Sequence, residues 1–110
     1  MSLETTCAAL ADPARRGVVD LLRRRPRRAS DLAEALGTSR PAMSRHLKVL
    51  RTSGLVEPVS HEADMRARMY QLRPDSFRQL RNWLAEVERF WTLELDAFKR
   101  HAERTRSKPR

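Results

Sequence analysis

The chain contains 110 residues, of which 23 are Lys or Arg and 14 are Asp or Glu, giving a formal net charge of +9 at pH 7. This length accommodates one domain and is too short for most multidomain enzymes. No run of 18 apolar residues is present, and the first residues lack the basic-then-apolar order of a signal peptide. The single cysteine, Cys7, excludes an intramolecular disulfide and is typical of a reducing compartment. We therefore expect a small, basic, cytoplasmic protein with no membrane segment.

The excess of basic residues admits two explanations. A net charge of this size favours a polyanionic partner such as nucleic acid. However, 20 of the 23 basic residues are Arg, which is also what a codon preference for Arg on every solvated surface would produce. The distribution of charge favours the first explanation. Residues 13–73 contain 14 basic and 6 acidic residues, and the segment from Arg40 to Val56 contains four basic residues and no acidic one.

Signals for two short helices open the chain. An apolar-periodic segment extends from Leu3 to Ala11 and is followed by Asp12-Pro13. Pro13 suits the first turn of a second helix because its missing N–H would be unpaired there in any case. We expect the second helix to reach about Arg25, where Pro26 stops it. The arginines at its end suit either an interaction with the helix dipole or a phosphate contact, and both roles stay open.

The next segment predicts a helix-turn-helix over residues 30–53. Ser30 is placed to cap a short helix, and Gly37 closes that helix at a position that prefers a left-handed backbone. Ser39 is placed to cap a second helix, which ends before Gly54. Two short helices joined by a Gly-containing turn are typical of the helix-turn-helix motif.

Residues 54–73 predict a β-hairpin, because the period of the apolar residues changes there. Two strands, 55–60 and 66–72, flank a polar tip at residues 61–65. Pro58 places the first strand at a sheet edge, and the tip has no glycine, which indicates a long, mobile loop. A hairpin directly after a helix-turn-helix is a wing. The predicted fold class is therefore mainly α with a small β-hairpin, a winged helix-turn-helix.

A long C-terminal helix is predicted over residues 74–103, and the basic tail at 104–110 is expected to fray. Residues 1–103 are interpreted as a single domain. The apolar residues of the long helix form a stripe about 140° wide, too broad for a strict coiled-coil seam. An intramolecular lid is one interpretation, and a dimerisation helix, with a contribution from the first helix, is the one we favour. The residues expected at the dimer interface are Leu3, Leu84, Val87, Trp91, Leu95 and Phe98.

The helix over residues 40–52 separates two faces when its residues are placed about 100° apart. One arc contains the apolar side chains, from Ala42 to Leu50, together with His46, which we expect to be packed and hydrogen-bonded to backbone. The opposite face contains cations and hydroxyls without a carboxylate, whereas a solvated helix usually mixes both signs. Such a face suits the major groove of DNA, and a merely basic solvated face is the alternative. The residues expected to contact DNA here are Ser39, Arg40, Pro41, Ser44, Arg45, Lys48 and Arg51.

Several stretches of the chain together resemble a known family. They are AALADPARR at residues 8–16, Leu21-Leu22, DLA at 31–33, SRPAMSRHLKVL at 39–50 and GLV at 54–56. These stretches look like the ArsR/SmtB superfamily, and the similarity extends over residues 3–103. The resemblance implies a winged-helix repressor that binds a palindromic DNA operator as a homodimer and releases it when a signal arrives. It further implies that the wing residues Arg66 and Arg68 lie along the neighbouring backbone or minor groove.

The metal sites of that superfamily are not matched. Many of its members use paired cysteines where this chain has Arg28 and Ser30, and a guanidinium would repel a metal ion. Other members use an Asp-x-His pair, whereas here Asp96 is followed two residues later by phenylalanine. An intersubunit cluster of Asp96, His101 and Glu103 is the remaining alternative. We therefore expect a subset without the usual metal sites, with no metal and no cofactor.

The remaining chemistry of the sequence argues against catalysis. No nucleophile–base pair or glycine-rich phosphate loop is present, so we do not expect an enzyme. Cys7 is expected to be a small buried apolar residue, since redox sensing would need an exposed thiol of low pKa. The predicted function is a dimeric DNA-binding repressor. A dimerising adaptor that binds a protein or small ligand is the alternative. A binder of single strands or RNA is disfavoured because residues 15–68 contain no aromatic side chain on which bases could stack.

Overall fold

Five helices and three short strands make up residues 2–59 and 68–107, the part of the chain that the computed structural model describes. They are α1 (Leu3–Leu10), α2 (Pro13–Leu22), β1 (Arg27–Arg28), α3 (Ala29–Ala35), α4 (Arg40–Thr52), β2 (Val56–Pro58), β3 (Met69–Leu72) and α5 (Pro74–Ser107). The predicted mainly α fold with a small sheet and a long C-terminal helix is confirmed. None of these helices is both long enough and apolar enough to cross a membrane.

Two of the helices begin where the sequence predicts, because a polar side chain caps each of them. The Asp12 carboxylate accepts a hydrogen bond from the Ala14 N–H at 2.8 Å, and Pro13 occupies the first position of α2. The Ser39 hydroxyl accepts a hydrogen bond from the Ala42 N–H at 3.2 Å at the start of α4. Each cap pairs a backbone donor that has no partner within the helix.

Two helix boundaries differ from the prediction. α2 ends at Leu22 instead of Arg25, because the residue before Pro26 is disfavoured in the helical region and the last buried apolar residue is Leu22. The predicted Ser30 cap is wrong, since α3 begins at Ala29 directly from the extended backbone of Arg28, with no side-chain cap.

Glycine closes both helices of the helix-turn-helix. Gly37 follows α3 with φ of 61°, and Gly54 follows α4 with φ of 74°. A residue with a Cβ is strained in this left-handed region, so glycine is favoured at both ends. The predicted left-handed position of Gly37 is confirmed, and the turn that it makes sets the start of α4.

The sheet contains one more strand than the sequence predicts. Its order is β1-β3-β2 and all pairings are antiparallel, with Arg27 opposite Tyr70 in one pair and Pro58 opposite Tyr70 in the other. The edge position of Pro58 is confirmed. β1 consists of two arginines without apolar alternation, so no periodic signal marks it. The predicted hairpin strands were too long, since β2 and β3 are shorter than 55–60 and 66–72. The predicted tip at 61–65 lies outside the described residues.

A single apolar core organises the first of two compact units, residues 1–79 and 80–110. Fully burying a large apolar side chain such as Val, Leu or Met contributes about 1.5–3 kcal/mol to the free energy of unfolding. Thus the core fixes α4 against α2, α3 and the sheet. Its buried members are Ala9, Val18, Leu22, Leu32, Ala33, Met43, Leu47, Leu50, Leu55, Val56 and Tyr70.

The helix α5 begins within the first unit and supplies all of the described part of the second. In its first turn, the buried Ser76 hydroxyl donates to the Ser53 carbonyl at 2.9 Å. It extends to Ser107, four residues beyond the predicted end, and the fraying of residues 104–110 stays a prediction. Because the described second unit is a single helix, the interpretation of residues 1–103 as one domain stays a prediction.

Candidate nucleic-acid interface

The inward face of α4 is anchored in the core of the first unit. Met43, Leu47 and Leu50 are each at most 2% exposed. These three residues follow the helical spacing of three or four, so they hold one side of the helix against the core. The orientation of the opposite side is thereby determined.

The outward face of α4 is basic, as the angular placement predicts. Every residue predicted to contact DNA from this helix and its cap is exposed, namely Ser39, Arg40, Pro41, Ser44, Arg45, Lys48 and Arg51. Within residues 2–59 and 68–107, no carboxylate lies within 4 Å of the four cations. Four like charges on one helix face repel each other, and a polyanion that neutralises them is favoured as a partner.

Val49 departs from the predicted partition of α4. It is 37% exposed although it was placed on the apolar arc. The angle from Met43 to Val49 is about 240°, which is the margin of that arc. A residue at the margin is covered only if a neighbouring element extends over it, which the helical period alone does not decide.

His46 is half-buried as predicted, but the predicted backbone hydrogen bond is wrong. Its Nδ1 lies 3.5 Å from the Arg15 Nη1, near the limit for a hydrogen bond. The contact joins α4 to α2 across 31 residues of sequence. Arg15 therefore helps to position the outward face of α4 from behind.

Arg15 also holds the C-terminal end of α1. Its Nε donates to the Ala9 carbonyl at 2.6 Å, and its Nη2 donates to the Ala8 carbonyl at 3.3 Å. The last helix carbonyls lack partners within the helix. The guanidinium therefore satisfies the Ala9 carbonyl and adds a second donor to the Ala8 carbonyl, which also accepts from the Ala11 N–H at 3.3 Å. Arg15 was missed as a structural residue, although an arginine three residues after a capping Asp12 is a detectable signal.

The Asp12 carboxyl interacts with groups of both α2 and α4. Burial raises the pKa of the Asp12 carboxyl, but hydrogen bonds from the Ala14 and Arg15 backbone N–H groups lower it more, together with the charges of Arg15 and His46. The net result is a pKa below the ordinary value. Asp12 is therefore ionised over the whole neutral range, and its negative charge faces the positive end of the α2 dipole.

A groove of about 620 Å³ runs along the basic face of α4. Its walls combine that face with the start of α3 and the buried Tyr70 of β3. These walls could not be predicted from the period of α4, because they come from the start of α3 and from strand pairing. The lining residues are Ala29, Ser30, Arg40, Pro41, Met43, Ser44, Arg45, Leu47, Lys48, Arg51 and Tyr70.

The wing is described only at its base. Arg68 directly precedes β3 and is half-buried, and Arg66 lies outside the described residues. Between the two hairpin strands, the Gln71 amide donates to the Glu57 carboxylate at 3.1 Å, and the two residues are register partners. The base of the wing is thus held by a cross-strand side-chain pair as well as by the ladder.

Metal ligands do not converge in the described part of the chain. No three His, Cys, Asp or Glu side chains there are placed so that they could hold a metal ion. The prediction for Cys7 is wrong, because its side chain is exposed on α1. α1 packs on the core through its buried Thr6 and Ala9, which leaves the Cys7 position facing outward.

The second unit carries an exposed apolar surface on α5. Trp91 is 58% and Phe98 is 71% exposed, and Leu84 and Leu95 are also exposed, while Val87 is half-buried. Large apolar side chains in such a continuous row are unusual on a monomer and mark an interaction surface. Leu3, the predicted contributor from α1, is half-buried. Dimer contacts by these residues stay a prediction.

The chain is similar in sequence to known proteins. Residues 12–58 match the family described as "Bacterial regulatory protein, arsR family". The chain is also 43% identical over 90 residues to the HTH-type transcriptional regulator Rv2034 of Mycobacterium tuberculosis (strain ATCC 25618 / H37Rv), an alignment that covers 82% of this chain and 78% of that one. The family match spans α2 to β2, and thus includes α4 and its cap.

Two solved structures share the fold. The ArsR-like transcriptional regulator from Rhodococcus sp. RHA1 superposes with a TM-score of 0.72 at 31% identity, covering 91% of this chain and 92% of that one. The winged helix-turn-helix DNA-binding domain of Mb0332 from Mycobacterium bovis, which is described as homodimeric, gives a TM-score of 0.57 at 26% identity and covers 86% and 82%. The three-stranded sheet and helix order of the present chain therefore belong to a winged helix-turn-helix.

Proposed function

The chain belongs to the ArsR family of bacterial regulatory proteins, and we propose that it is a sequence-specific, dimeric DNA-binding repressor of the cytoplasm. The observation that carries the proposal is the outward face of α4, which holds four cations and no neighbouring carboxylate in the described chain. A helix of this width fits the major groove of B-DNA. The named relatives are transcriptional regulators, which supports the same conclusion.

We propose that base discrimination and backbone binding are divided between residues. Arg40, Ser44, Arg45 and Lys48 project from the exposed face of α4, where guanidinium, hydroxyl and ammonium donors suit base edges. We propose that Ser39, Pro41 and Arg51 contact the DNA backbone, together with the wing residues Arg66 and Arg68. Backbone contacts give affinity and register, and base contacts give sequence preference.

Dimerisation follows from the geometry of such recognition. Two copies of α4 must reach half-sites about 34 Å apart on one face of the duplex, which implies a palindromic operator. The exposed row on α5 is the surface that we propose for contact with a second copy, and Leu3 of α1 is proposed to contribute to the same dimer. The homodimeric relative Mb0332 supports this assembly. Occupation of a promoter by the dimer would exclude the polymerase, so we propose repression.

Selection from random duplex DNA, followed by footprinting on the enriched sequence, tests the proposal. We expect an enriched inverted repeat and an affinity that decreases by roughly 0.9 log units per log unit of salt for each phosphate neutralised. Arg45→Ala should lose preference at one base position of each half-site. The matched control, Arg89→Ala, removes an exposed cation from α5 and should leave the preference intact.

Two outcomes would contradict the proposal. Weak binding with a flat salt dependence and no footprint would favour the adaptor function. Equal enrichment by the wild type and by Arg45→Ala would show that α4 does not read the bases. A promoter–reporter fusion carrying the enriched sequence then tests repression, because the reporter signal should decrease when the protein is expressed.

A further inference from the structure

An arginine-rich segment connects α2 to α3 and is not used by the proposed reading of DNA. Residues 23–28 have the sequence RRRPRR, with five cations in six positions. Arg24, Arg25 and Arg28 are exposed. The segment's one ion pair within the described residues joins Arg23 to Asp20 at 3.7 Å, with both side chains largely exposed. No carboxylate in the described part of the chain neutralises the positive charge of the other arginines.

A structural role explains only the beginning of this segment. α2 ends at Leu22 with Arg23 as its C-cap, and cations near a helix C-terminus interact favourably with the dipole. That effect falls off within the last turn. It does not extend to Arg27 and Arg28, which form a separate strand. A second explanation is needed for the cations beyond the end of α2.

The strand β1 places Arg27 and Arg28 close to the groove on α4. Arg27 pairs with Tyr70 of β3, and Tyr70 lines that groove. Arg28 is followed directly by Ala29 and Ser30, which line it as well. Consecutive Cα atoms are about 3.8 Å apart, so Arg28 lies one residue from the groove wall. An exposed cation, Arg28, therefore directly precedes the part of α3 that lines the groove.

Arg27 contributes a second observation. Its Nε is buried and has no hydrogen-bond partner in the structure, although the residue is only half-buried overall. Buried donors of this kind are usually paired. The described residues supply neither a carboxylate for Arg27 nor an acceptor for its Nε, and the exposed part of this guanidinium is suited to an oxygen-rich anion.

We propose that Arg24, Arg25, Arg27 and Arg28 form a second phosphate-binding surface, which contacts the DNA backbone beside the base pairs that α4 reads. Each strand carries one phosphate for about every 3.4 Å of the duplex axis, so a duplex seated on α4 presents several of them to this surface. The contacts contribute affinity and register without sequence preference. The proposal rests on the proposed DNA binding by α4 and adds a distinct surface to it.

Salt titration of a triple variant tests this surface. Arg24→Ala, Arg25→Ala and Arg28→Ala are combined, and Arg27 is retained because it is half-buried in the sheet. The control combines Arg81→Ala, Arg89→Ala and Arg100→Ala, which removes three exposed cations from α5 and gives the same net charge. Both variants are compared with the wild type on the enriched operator with about ten flanking base pairs at each end and on the operator trimmed to its selected core. Circular dichroism and urea unfolding verify that both variants are folded.

We expect the triple variant to lose up to three phosphate contacts per subunit on the flanked duplex. At roughly 0.9 log units for each contact, its slope of log affinity against log salt should be less steep than that of the control. The difference should be smaller on the trimmed duplex, and the sequence enriched in selection should be unchanged. Equal slopes for the triple variant and the control would overturn the inference, as would an altered sequence preference. If the wild type itself shows no preference and no salt dependence, the proposed DNA binding fails instead.

Discussion

Arg15 offers the sharpest test of how α4 is positioned. Its guanidinium donates to the carbonyls of Ala8 and Ala9 at the end of α1 and lies beside His46 on α4. Its side chain is only 18% exposed, so solvent screening of these contacts is limited. Arg15→Ala would remove these three contacts together with the ion pair to Asp12. We expect a loss of stability without the loss of a DNA contact.

The size of this loss can be worked out from the individual contacts. The bond to the Ala9 carbonyl at 2.6 Å is a hydrogen bond from a charged group, which contributes about 1.5–3 kcal/mol net. The longer bond to Ala8 is exposed and adds less. The ion pair with Asp12, at 3.8 Å, contributes below about 1 kcal/mol because the carboxylate is one-third exposed. The expected decrease in the free energy of unfolding is therefore about 2–3 kcal/mol.

Urea unfolding at a fixed protein concentration measures this decrease. With a slope of about 1–3 kcal/mol per molar urea, the midpoint should move down by roughly 1–2 M. Arg16→Ala is the matched control, because the exposed Arg16 donates to the carbonyls of Leu10 and Ala11. Arg16→Ala should lower the free energy of unfolding by about 0.5 kcal/mol or less, since substitutions of exposed side chains away from buried features change stability little.

Two results would refute the reasoning about Arg15. If Arg15→Ala is no less stable than Arg16→Ala, the bond to Ala9 does not hold α1 in place. If the salt slope of operator binding falls by about one unit for Arg15→Ala, then Arg15 contacts a phosphate instead of positioning α4. Arg15→Lys keeps the charge but loses the fork geometry, so it should recover only part of the stability.

Three further predictions follow from other parts of the structure. The lowered pKa of Asp12 stabilises the folded state at pH values above the ordinary carboxyl pKa, and this contribution is lost as the pH falls through the lower folded value. Urea unfolding between pH 7 and pH 3 should therefore show a shallower acid decline for Asp12→Asn than for the wild type, and parallel curves would contradict the assignment. Gly37→Ala should lower the free energy of unfolding by about 1 kcal/mol. The loss comes from the left-handed backbone alone, because no atom lies within 4 Å of the added Cβ. Gly37→Asn should lose less in the same unfolding assay. Trp91→Glu combined with Leu95→Glu should yield a monomer in sedimentation velocity. Its operator affinity should be weaker by about 10²-fold or more, because the two half-sites are no longer bound together. A variant that stays dimeric would show that the dimer forms through another surface.

Much of the first unit could be predicted from short stretches of sequence. Ser39 as a cap and Gly37 and Gly54 as helix ends are signals that act within one helical turn. The outward basic face of α4 follows from the helical period and the absence of acidic residues between Arg40 and Val56. None of these features depends on distant parts of the chain, so the local sequence contains all of the information that they need.

Only the tertiary structure decided the features that join distant segments. β1 exists because Arg27 and Arg28 pair with β3, and two residues without periodicity carry no strand signal of their own. His46 meets Arg15 across 31 residues, and Cys7 faces outward because Thr6 and Ala9 turn the other side of α1 inward. A helical period specifies which residues share a face. Which neighbour covers that face depends on how the elements pack, and packing is a property of the folded chain as a whole.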